Sequence, residues 1–301
     1  MTSDDYSKTM QAKMGSTLTY VHEDGMNYAK AFDRIIVGSC VQTAADVDTL
    51  KKEGVGIIFC LQEDKDMAHF SLDLAPILKR CEELDVKHVR NPIRDFDPLS
   101  LRRHLPAAVT SLSKAMAEKE GLAYIHCTAG LGRAPGVALS YMFMVEGLDL
   151  DEAYAQLFEV RRCHPQMGMI RAAACDLLAG GMGEGSIRLA IHRPHASAVQ
   201  IAGLDIGWHN KIDLVKDDST GDFVLSHKLP PGRYQYKFIV DDEWLANTEL
   251  PTVDDNGNIN NVVDVSPEPG TPDAERRARI MPEGGRLNTE ELSELKKKLG
   301  I

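Results

Sequence analysis

Cys127 and Arg133 are the two residues of this sequence whose types and spacing most directly predict chemistry. The stretch "HCTAGLGRAPG" (126–136) places them six positions apart, with Gly130 and Gly132 between them. A cysteine attacks as its thiolate, and an arginine can bind phosphate oxygens through two parallel N–H groups. Because glycine tolerates unusual backbone dihedrals, the intervening residues can curl tightly. The pattern therefore predicts a nucleophilic thiol beside an anion site.

The segments on either side of this loop predict where it lies. "LAYIHC" (122–127) is typical of a strand, and "APGVALSYMFMVEG" (134–147) is apolar almost all round, as in a buried central helix. In a parallel sheet the end of such a strand lies on the carboxyl edge, where ligands bind. The positive end of the next helix should lower the pKa of the thiol, and consecutive backbone N–H groups can cradle the anion. The predicted phosphate-binding residues are Thr128, Ala129, Gly130, Leu131, Gly132 and Arg133.

"HCTAGLGR" resembles the His-Cys-x5-Arg loop of the cysteine-dependent phosphatases, in their dual-specificity branch. The resemblance implies that the Cys127 thiolate attacks a phosphoryl group and that water then hydrolyses the phosphocysteine. It also implies that Arg133 holds the transferring group through both steps. Many relatives carry Ser or Thr after the arginine, where this sequence has Ala134. Either water alone handles the second step here, or turnover is slower.

A proton donor is needed to expel an alkoxide, and two aspartates are candidates. The resembling branch carries this acid on a loop about 30 residues before the cysteine, where this sequence reads "RNPIRDFDPLS" (90–100). We favour Asp95, because the closest family pattern reads Arg-Asp-Phe-Asp with the first Asp as the acid. Asp97 stays an alternative, although its place before "PLSLRRHL" also suits a helix cap.

The order of elements predicts two different architectures. Strand-like runs such as "RIIVGSC" (34–40), "VGIIFCL" (55–61) and "VKHVRNPI" (86–93) alternate with helical stretches, which indicates an α/β domain with a mostly parallel sheet flanked by helices. After the glycine-rich stretch 180–185 only short β-like runs follow, as in an immunoglobulin-like sandwich. We predict a phosphatase domain with an N-terminal recognition segment at 1–182, an all-β carbohydrate-binding module at 186–266, and a short helical tail at 267–301 that packs on the domains.

Both tryptophans, Trp208 and Trp244, lie in the predicted β module, beside polar and turn residues. An aromatic ring can stack on the apolar face of a sugar, although a place in the core is the alternative. The segments "GLDIGWHNKIDL" and "YKFIVDDEWLANTELP" resemble the starch- and glycogen-binding module of branching enzymes and of energy-sensing kinase subunits. The resemblance implies sugar contacts for both tryptophans, Lys237 and Asn261.

Nearly the whole chain resembles the starch-excess-type phosphoglucan phosphatases of plants and algae, which share their task with the animal enzyme laforin. The segments that carry the resemblance include "LTYVHEDGMNY", "IVGSCVQT", "IFCLQED", "IRDFDP" and "GRAP". It implies hydrolysis of glucosyl phosphate monoesters on starch or amylopectin-like glucan, which promotes starch degradation. It also implies an aromatic channel at Tyr20, Phe70 and Phe96, and a further aromatic position that holds His164. Tyr20 and Phe70 could equally be core residues. The alternatives are a dual-specificity protein phosphatase localised to glucan granules and a glucan-binding scaffold.

Charge and cysteine usage limit the partners. The net charge is −11, and the sequence has no Lys/Arg run outside "LKKKLG", so neither nucleic acid nor an anionic membrane is an expected partner. Six irregularly spaced cysteines form no Cys-x-x-Cys pair, so we expect no metal and no cofactor. Cys60 and Cys127 both end strands of the predicted sheet, and we hypothesise that oxidation joins them in a disulfide that silences the enzyme reversibly.

Location and assembly are expectations from the resemblance alone. It implies a monomer in the plastid stroma, associated with starch granules, or in the cytosol of a host that stores starch there. The first residues, "MTSDDYSKTMQAK", have neither the apolar stretch of a secretion signal nor an Arg-rich composition.

Overall fold

The computed structural model of the chain describes residues 3–14, 18–255, 257–267 and 269–301. The described residues form two compact units, one consisting of those up to 178 together with 279–301, and the other of 179–278. The domain boundaries given above stay predictions. None of the described helices is long and apolar enough to span a membrane.

The first unit alternates strands and helices along the chain. Its strands are β1 (Tyr28–Phe32), β2 (Ile35–Gly38), β3 (Val55–Cys60), β4 (Lys87–Arg90) and β5 (Leu122–His126). Its helices are α1 (Ser3–Met14), α2 (Ala44–Lys52), α3 (Asp64–His69), α4 (Leu74–Glu83), α5 (Pro98–Glu118), α6 (Arg133–Tyr141), α7 (Leu150–Val160) and α8 (Met167–Ala179). A short 3₁₀ turn covers His22–Asp24, and a π-helical segment, Met142–Glu146, extends α6.

One five-stranded sheet organises this unit, in the order β1-β2-β5-β3-β4. All neighbours are parallel except β1 and β2. The six residues of β3 are all buried because successive side chains enter apolar layers on opposite faces. The carboxyl ends of β3 and β5 are adjacent, since Cys60 pairs with His126. The loop after β5 therefore begins at the edge where ligands bind in parallel sheets.

Local sequence explains where two helices of the first unit begin. At α2, Thr43 accepts from the Asp46 N–H while Asp46 accepts from the Thr43 N–H, a reciprocal cap. At α5, the Asp97 carboxylate accepts from the Ser100 N–H at 2.8 Å, and Pro98 occupies the first turn, where its missing N–H costs nothing. Both helices therefore begin directly after a residue whose side chain caps the first turn.

The second unit is built from antiparallel strands. They are β6 (Gly185–His192), β7 (Val199–Gly203), β8 (Gly207–Asp213), β9 (Val215–Asp217), β10 (Asp222–Leu229), β11 (Gly232–Val240), β12 (Glu243–Leu245), β13 (Thr252–Asp255) and β14 (Asn258–Val265). One sheet has the order β6-β10-β9, and the other has the order β13-β14-β11-β7-β8, with β12 paired to β11. Their apolar positions alternate with exposed ones, as in β6, which is typical of sheets with one buried face.

Two helices follow, α9 (Pro272–Ile280) and α10 (Thr289–Leu299). Asn288 and Glu291 cap α10 reciprocally. Leu295 and Leu299 lie in the apolar core of the first unit, and the Leu299 carbonyl accepts from Thr110 Oγ1 on α5 at 3.1 Å. The C-terminal helix is therefore an integral part of the first unit.

Candidate active site

The catalytic loop, residues 127–133, leaves the carboxyl end of β5 and enters α6. Cys127 is only 2% exposed, and the Gly130 N–H donates to its Sγ at 3.3 Å. Gly130 has φ +69°, and a Cβ there would lie 2.3 Å from the carbonyl oxygen of Gly38. Only glycine fits this position, because a side chain would meet both the left-handed backbone and the neighbouring strand. The glycine predicted to curl the loop is thus required by its geometry.

Arg161, at the end of α7, holds the loop from outside. Its Nε donates to the Gly130 carbonyl at 2.8 Å and its Nη2 to the Ala129 carbonyl at 3.0 Å. The His164 N–H donates to the Leu131 carbonyl at 2.7 Å, while the side chain of His164 is exposed. Because an amide carbonyl and its N–H point in opposite directions, fixing the carbonyls outward turns N–H groups toward the anion site. Arg161 could not be found from the sequence, because its "VRRC" context carries no local signal.

The Arg133 guanidinium joins the catalytic loop to two carboxylates. Its Nη2 donates to Asp95 Oδ2 at 2.7 Å and to Thr128 Oγ1 at 3.1 Å, and its Nη1 donates to Asp66 Oδ2 at 2.6 Å. Burial alone lowers the pKa of Arg133, but the charges of Asp95, Cys127 and Asp66 outweigh it and hold the pKa well above its usual value. Arg133 Nε is buried and has no hydrogen-bond partner within the described part of the chain. It is the donor that remains for a bound anion.

The two candidate acids occupy different positions. Asp95 contacts the site directly, because its Oδ2 accepts from Arg133 Nη2. Its Oδ1 accepts from the Phe96 N–H at 3.1 Å. Asp97 instead caps α5 through the Ser100 N–H and lies 3.6 Å from Arg94 Nη1. The structure therefore brings Asp95 to the catalytic loop and gives Asp97 the capping role that the sequence left open.

His126 precedes the nucleophile and is uncharged. Its Nδ1 lies 3.2 Å from the Cys127 carbonyl oxygen, so this nitrogen carries the proton and donates. Burial lowers its pKa to about 3. The positive field at the thiol therefore comes from Arg133 and the loop N–H groups, with no contribution from an imidazolium.

Cys60 lies behind the catalytic loop with two histidines. The donor atoms of Cys60, His88 and His126 lie within 4.8 Å of one another, and among the described residues this group could hold a metal ion. The cluster could not be found from the sequence, because its members come from three strands. Burial raises the pKa of Cys60 to about 11. Cys60 and Cys127 are both free thiols, and their disulfide stays a hypothesis.

The three predicted channel aromatics lie beside the loop, together with a fourth aromatic residue, Tyr6, which was not predicted from the sequence. The ring of Tyr6 lies 5.8 Å from Tyr20, 5.9 Å from Phe70 and 5.4 Å from Phe96, measured between centroids. Tyr20 is only 3% exposed and packs with Ala129 of the catalytic loop, whereas Phe70 and Phe96 are half-buried. The accessible aromatic surface next to the nucleophile is thus presented chiefly by the two phenylalanines, since Tyr6 is buried as well.

In the second unit, two of the predicted sugar contacts share one face of the larger sheet. Trp244 pairs with Ile239, and Lys237 lies two positions from Ile239 on β11, so their side chains are on the same face. Trp208 lies on β8, whose pairing with β7 shifts register between Ile201 and Gly203. Trp244 is 50% exposed, and Trp208 and Lys237 are half-buried. A solvent-accessible aromatic surface beside an ammonium group suits a sugar ring and its hydroxyls.

Asn261 does not belong to this face. It pairs with Tyr236 and is fully buried, with its Oδ1 accepting from the Asn247 N–H at 2.8 Å and its Nδ2 donating to the Asn247 carbonyl at 2.7 Å. The expected sugar contact is therefore corrected to a structural role, since the amide fixes the segment after β12. Its neighbour Asn260 points to the other face, where it donates to Gln235 Oε1 at 2.6 Å.

Comparison with known proteins identifies both units. The model of the dual specificity phosphatase catalytic domain matches residues 38–172, and that of the glycogen recognition site of AMP-activated protein kinase matches 190–271. The chain is 42% identical over 293 residues to Phosphoglucan phosphatase DSP4, amyloplastic, of Castanea sativa, across 96% of this chain and 78% of that protein. It belongs to the phosphoglucan phosphatase family.

Two further relatives cover one or both units. Phosphoglucan phosphatase LSF1, chloroplastic, of Arabidopsis thaliana is 29% identical over 86% of this chain and 45% of its own length. Human 5'-AMP-activated protein kinase subunit beta-2 is 43% identical over 68 residues, which are 22% of this chain and 24% of that protein. The predictions of a cysteine-dependent phosphatase domain followed by a strand-rich carbohydrate-binding module are confirmed.

Proposed function

We propose that this phosphatase binds starch-like glucan and hydrolyses glucosyl phosphate monoesters through a phosphocysteine intermediate, which opens the polymer to degradation. The observation that carries the proposal is the position of Arg133. One guanidinium connects the loop of Cys127 with Asp95, in a chain that also carries a glycogen-recognition module. A nucleophile, an anion clamp and an acid are therefore within reach of one phosphoryl group.

In the first step, the Cys127 thiolate attacks phosphorus, so that an S–P bond forms and the P–O bond to the sugar breaks. Asp95, protonated for this step, gives its proton to the leaving sugar oxygen. The loop N–H groups and Arg133 bind the phosphoryl oxygens, whose negative charge they offset in the transition state. Asp66 orients the guanidinium through Nη1 and leaves Nε to the substrate.

In the second step, water attacks the phosphocysteine and the S–P bond breaks. The Asp95 carboxylate takes a proton from this water, and inorganic phosphate leaves with the thiolate restored. Ala134, which is fully buried, supplies no hydroxyl here. Breakdown of the intermediate thus depends on water and Asp95.

The substrate assignment is supported by the module and by the relatives. Trp244 and Lys237 share an accessible face, and the AMP-activated protein kinase model that matches this unit describes a glycogen recognition site. Because the two phosphoglucan phosphatase relatives are amyloplastic and chloroplastic, we propose a plastid location on starch granules.

The test compares phosphate release from phosphorylated starch and from a phosphotyrosine peptide, with Cys127→Ser as the blank. We expect release from starch by the wild-type chain and none by the variant. Activity on the peptide alone would make the chain a protein phosphatase. Binding to starch with no release from either substrate would make it a scaffold.

A further inference from the structure

Tyr6 places a phenol in the catalytic pocket, and the proposed reaction does not use it. Its hydroxyl donates to Asp95 Oδ2 at 2.6 Å, and its ring contacts Tyr20, Phe70 and Phe96. The side chain is only 9% exposed, although α1 has the polar sequence "SDDYSKTMQAKM". A polar helix thus buries one tyrosine against the candidate acid.

The phenolic oxygen lies where a leaving group has to be. In the proposed reaction Asp95 protonates the oxygen that leaves phosphorus, so that oxygen must come within hydrogen-bond reach, about 2.6–3.2 Å. The Tyr6 hydroxyl holds such a position on the same carboxyl oxygen that Arg133 Nη2 contacts at 2.7 Å. The phenol and the leaving oxygen of a substrate therefore exclude each other.

We propose that α1 is an intramolecular ligand of the catalytic pocket, in which Tyr6 occupies the leaving-group position. The surface that receives it consists of Asp95 and the rings of Tyr20, Phe70 and Phe96. A substrate binds only when α1 withdraws, so the fraction of molecules with Tyr6 in place lowers the apparent affinity for every phosphoester by the same factor. The rate at which the bound substrate is hydrolysed is unchanged. The inference rests on the proposed function for the role of Asp95 as the acid.

Ser7 fixes α1 in this position. Its Oγ donates to the Tyr20 carbonyl at 3.1 Å and accepts from the Tyr20 N–H at 3.0 Å, so the helix is attached to the backbone of a pocket residue. Burial and the charge of Asp95 raise the pKa of Tyr6 well above its usual value, which keeps the phenol protonated and able to donate. The Ser7 contacts therefore fix the position of α1, and the Tyr6 hydroxyl remains a hydrogen-bond donor.

The experiment measures steady-state hydrolysis of p-nitrophenyl phosphate by the full chain carrying Tyr6→Phe, which keeps the ring and removes the hydroxyl. Loss of a hydrogen bond to a charged acceptor shifts the equilibrium toward the form in which α1 has withdrawn from the pocket, by about tenfold or more. We therefore expect KM to fall by about tenfold with kcat unchanged. Lys8→Ala, an exposed position on the same helix, should change neither constant. Ser7→Ala removes the attachment of α1 and should lower KM as well.

A peptide with the sequence of residues 3–14 provides an independent measurement. Added to the Tyr6→Ala chain, it should inhibit competitively with substrate, and its Tyr6→Phe form should inhibit more weakly. An unchanged or raised KM in Tyr6→Phe, at a melting temperature equal to that of the wild type, overturns the proposal. A fall in kcat also overturns it, because Tyr6 would then position Asp95 for the reaction. Failure of the wild type to act on phosphorylated starch would contradict the proposed substrate and leave this result unaffected.

Discussion

The neutral state of His126 predicts how the stability of the first unit depends on pH. Burial lowers the pKa of this imidazole from 6.5 to about 3. In the unfolded chain it ionises near 6.5, so between pH 6.5 and 3 the unfolded state binds one more proton than the native state. The contribution of His126 is therefore complete above pH 6.5 and decreases by about 1.4 kcal/mol per pH unit as the pH falls. From pH 7 to pH 5 the loss amounts to about 2 kcal/mol.

The assay is urea unfolding at pH 7 and pH 5 of the wild type and of His126→Asn, whose amide can still donate to the Cys127 carbonyl but does not titrate. The helices α1–α8 lie in the first unit, so far-ultraviolet circular dichroism follows its unfolding. Trp208 and Trp244, the two tryptophans of the chain, lie in the second unit, so their fluorescence is an internal control. Because each protein is compared with itself at two pH values, the loss of unfolding free energy that the substitution causes at both pH values cancels.

We expect the free energy of unfolding of the first unit to fall by about 2 kcal/mol less in His126→Asn than in the wild type between these pH values. The histidines of this unit outside the cluster of Cys60, His88 and His126 contribute equally to both proteins. An equal fall in both proteins would refute the reasoning, since His126 would then not be held neutral by burial. If the two proteins also differed in the unfolding transition followed by tryptophan fluorescence, the assignment of the pH effect to the first unit would be refuted.

Three further predictions concern the reaction and its control. Asp95→Asn should lower kcat on phosphorylated glucan by about a hundredfold to ten-thousandfold, with little loss on p-nitrophenyl phosphate, whose leaving group needs no proton; equal losses would exclude Asp95 as the acid. Joint replacement of Trp208 and Trp244 by alanine should abolish release from starch while p-nitrophenyl phosphate activity remains, and a loss of both would contradict a separate docking surface. Oxidised wild type should regain activity with dithiothreitol, whereas Cys60→Ser should not; identical recovery would argue against the Cys60–Cys127 disulfide.

The catalytic loop could be predicted from the sequence because its parts are contiguous. The strand, Cys127, the glycines and Arg133 lie within a dozen residues, and each acts through local backbone geometry. Asp66 and Arg161 could not be found this way. Asp66 meets Arg133 across 67 positions of sequence, and Arg161 meets Gly130 across 31. Contacts of this kind depend on how α3 and α7 pack, which no local pattern records.

Asn261 shows the corresponding limit in the β module. Successive residues of a strand point to opposite faces, so the choice between Asn260 and Asn261 depends on the register with β11. The run "NINNVV" offers adjacent asparagines on both faces, and the sequence alone does not select one. The face of the exposed Trp244 is easier to predict, because its strand pairs with β11 directly across a turn of two aspartates.

The charge balance around Arg133 connects substrate binding with acid catalysis. A phosphate binds a guanidinium best through two parallel N–H groups, and Arg133 offers Nε together with the Nη2 that now contacts Asp95. Binding of phosphate in this way takes Nη2 away from Asp95 Oδ2, the carboxyl oxygen that faces the site. Asp66 keeps its contact with Nη1 throughout, so the guanidinium stays oriented. The arginine that clamps the substrate thereby also releases the carboxyl oxygen that faces the leaving group in the first step.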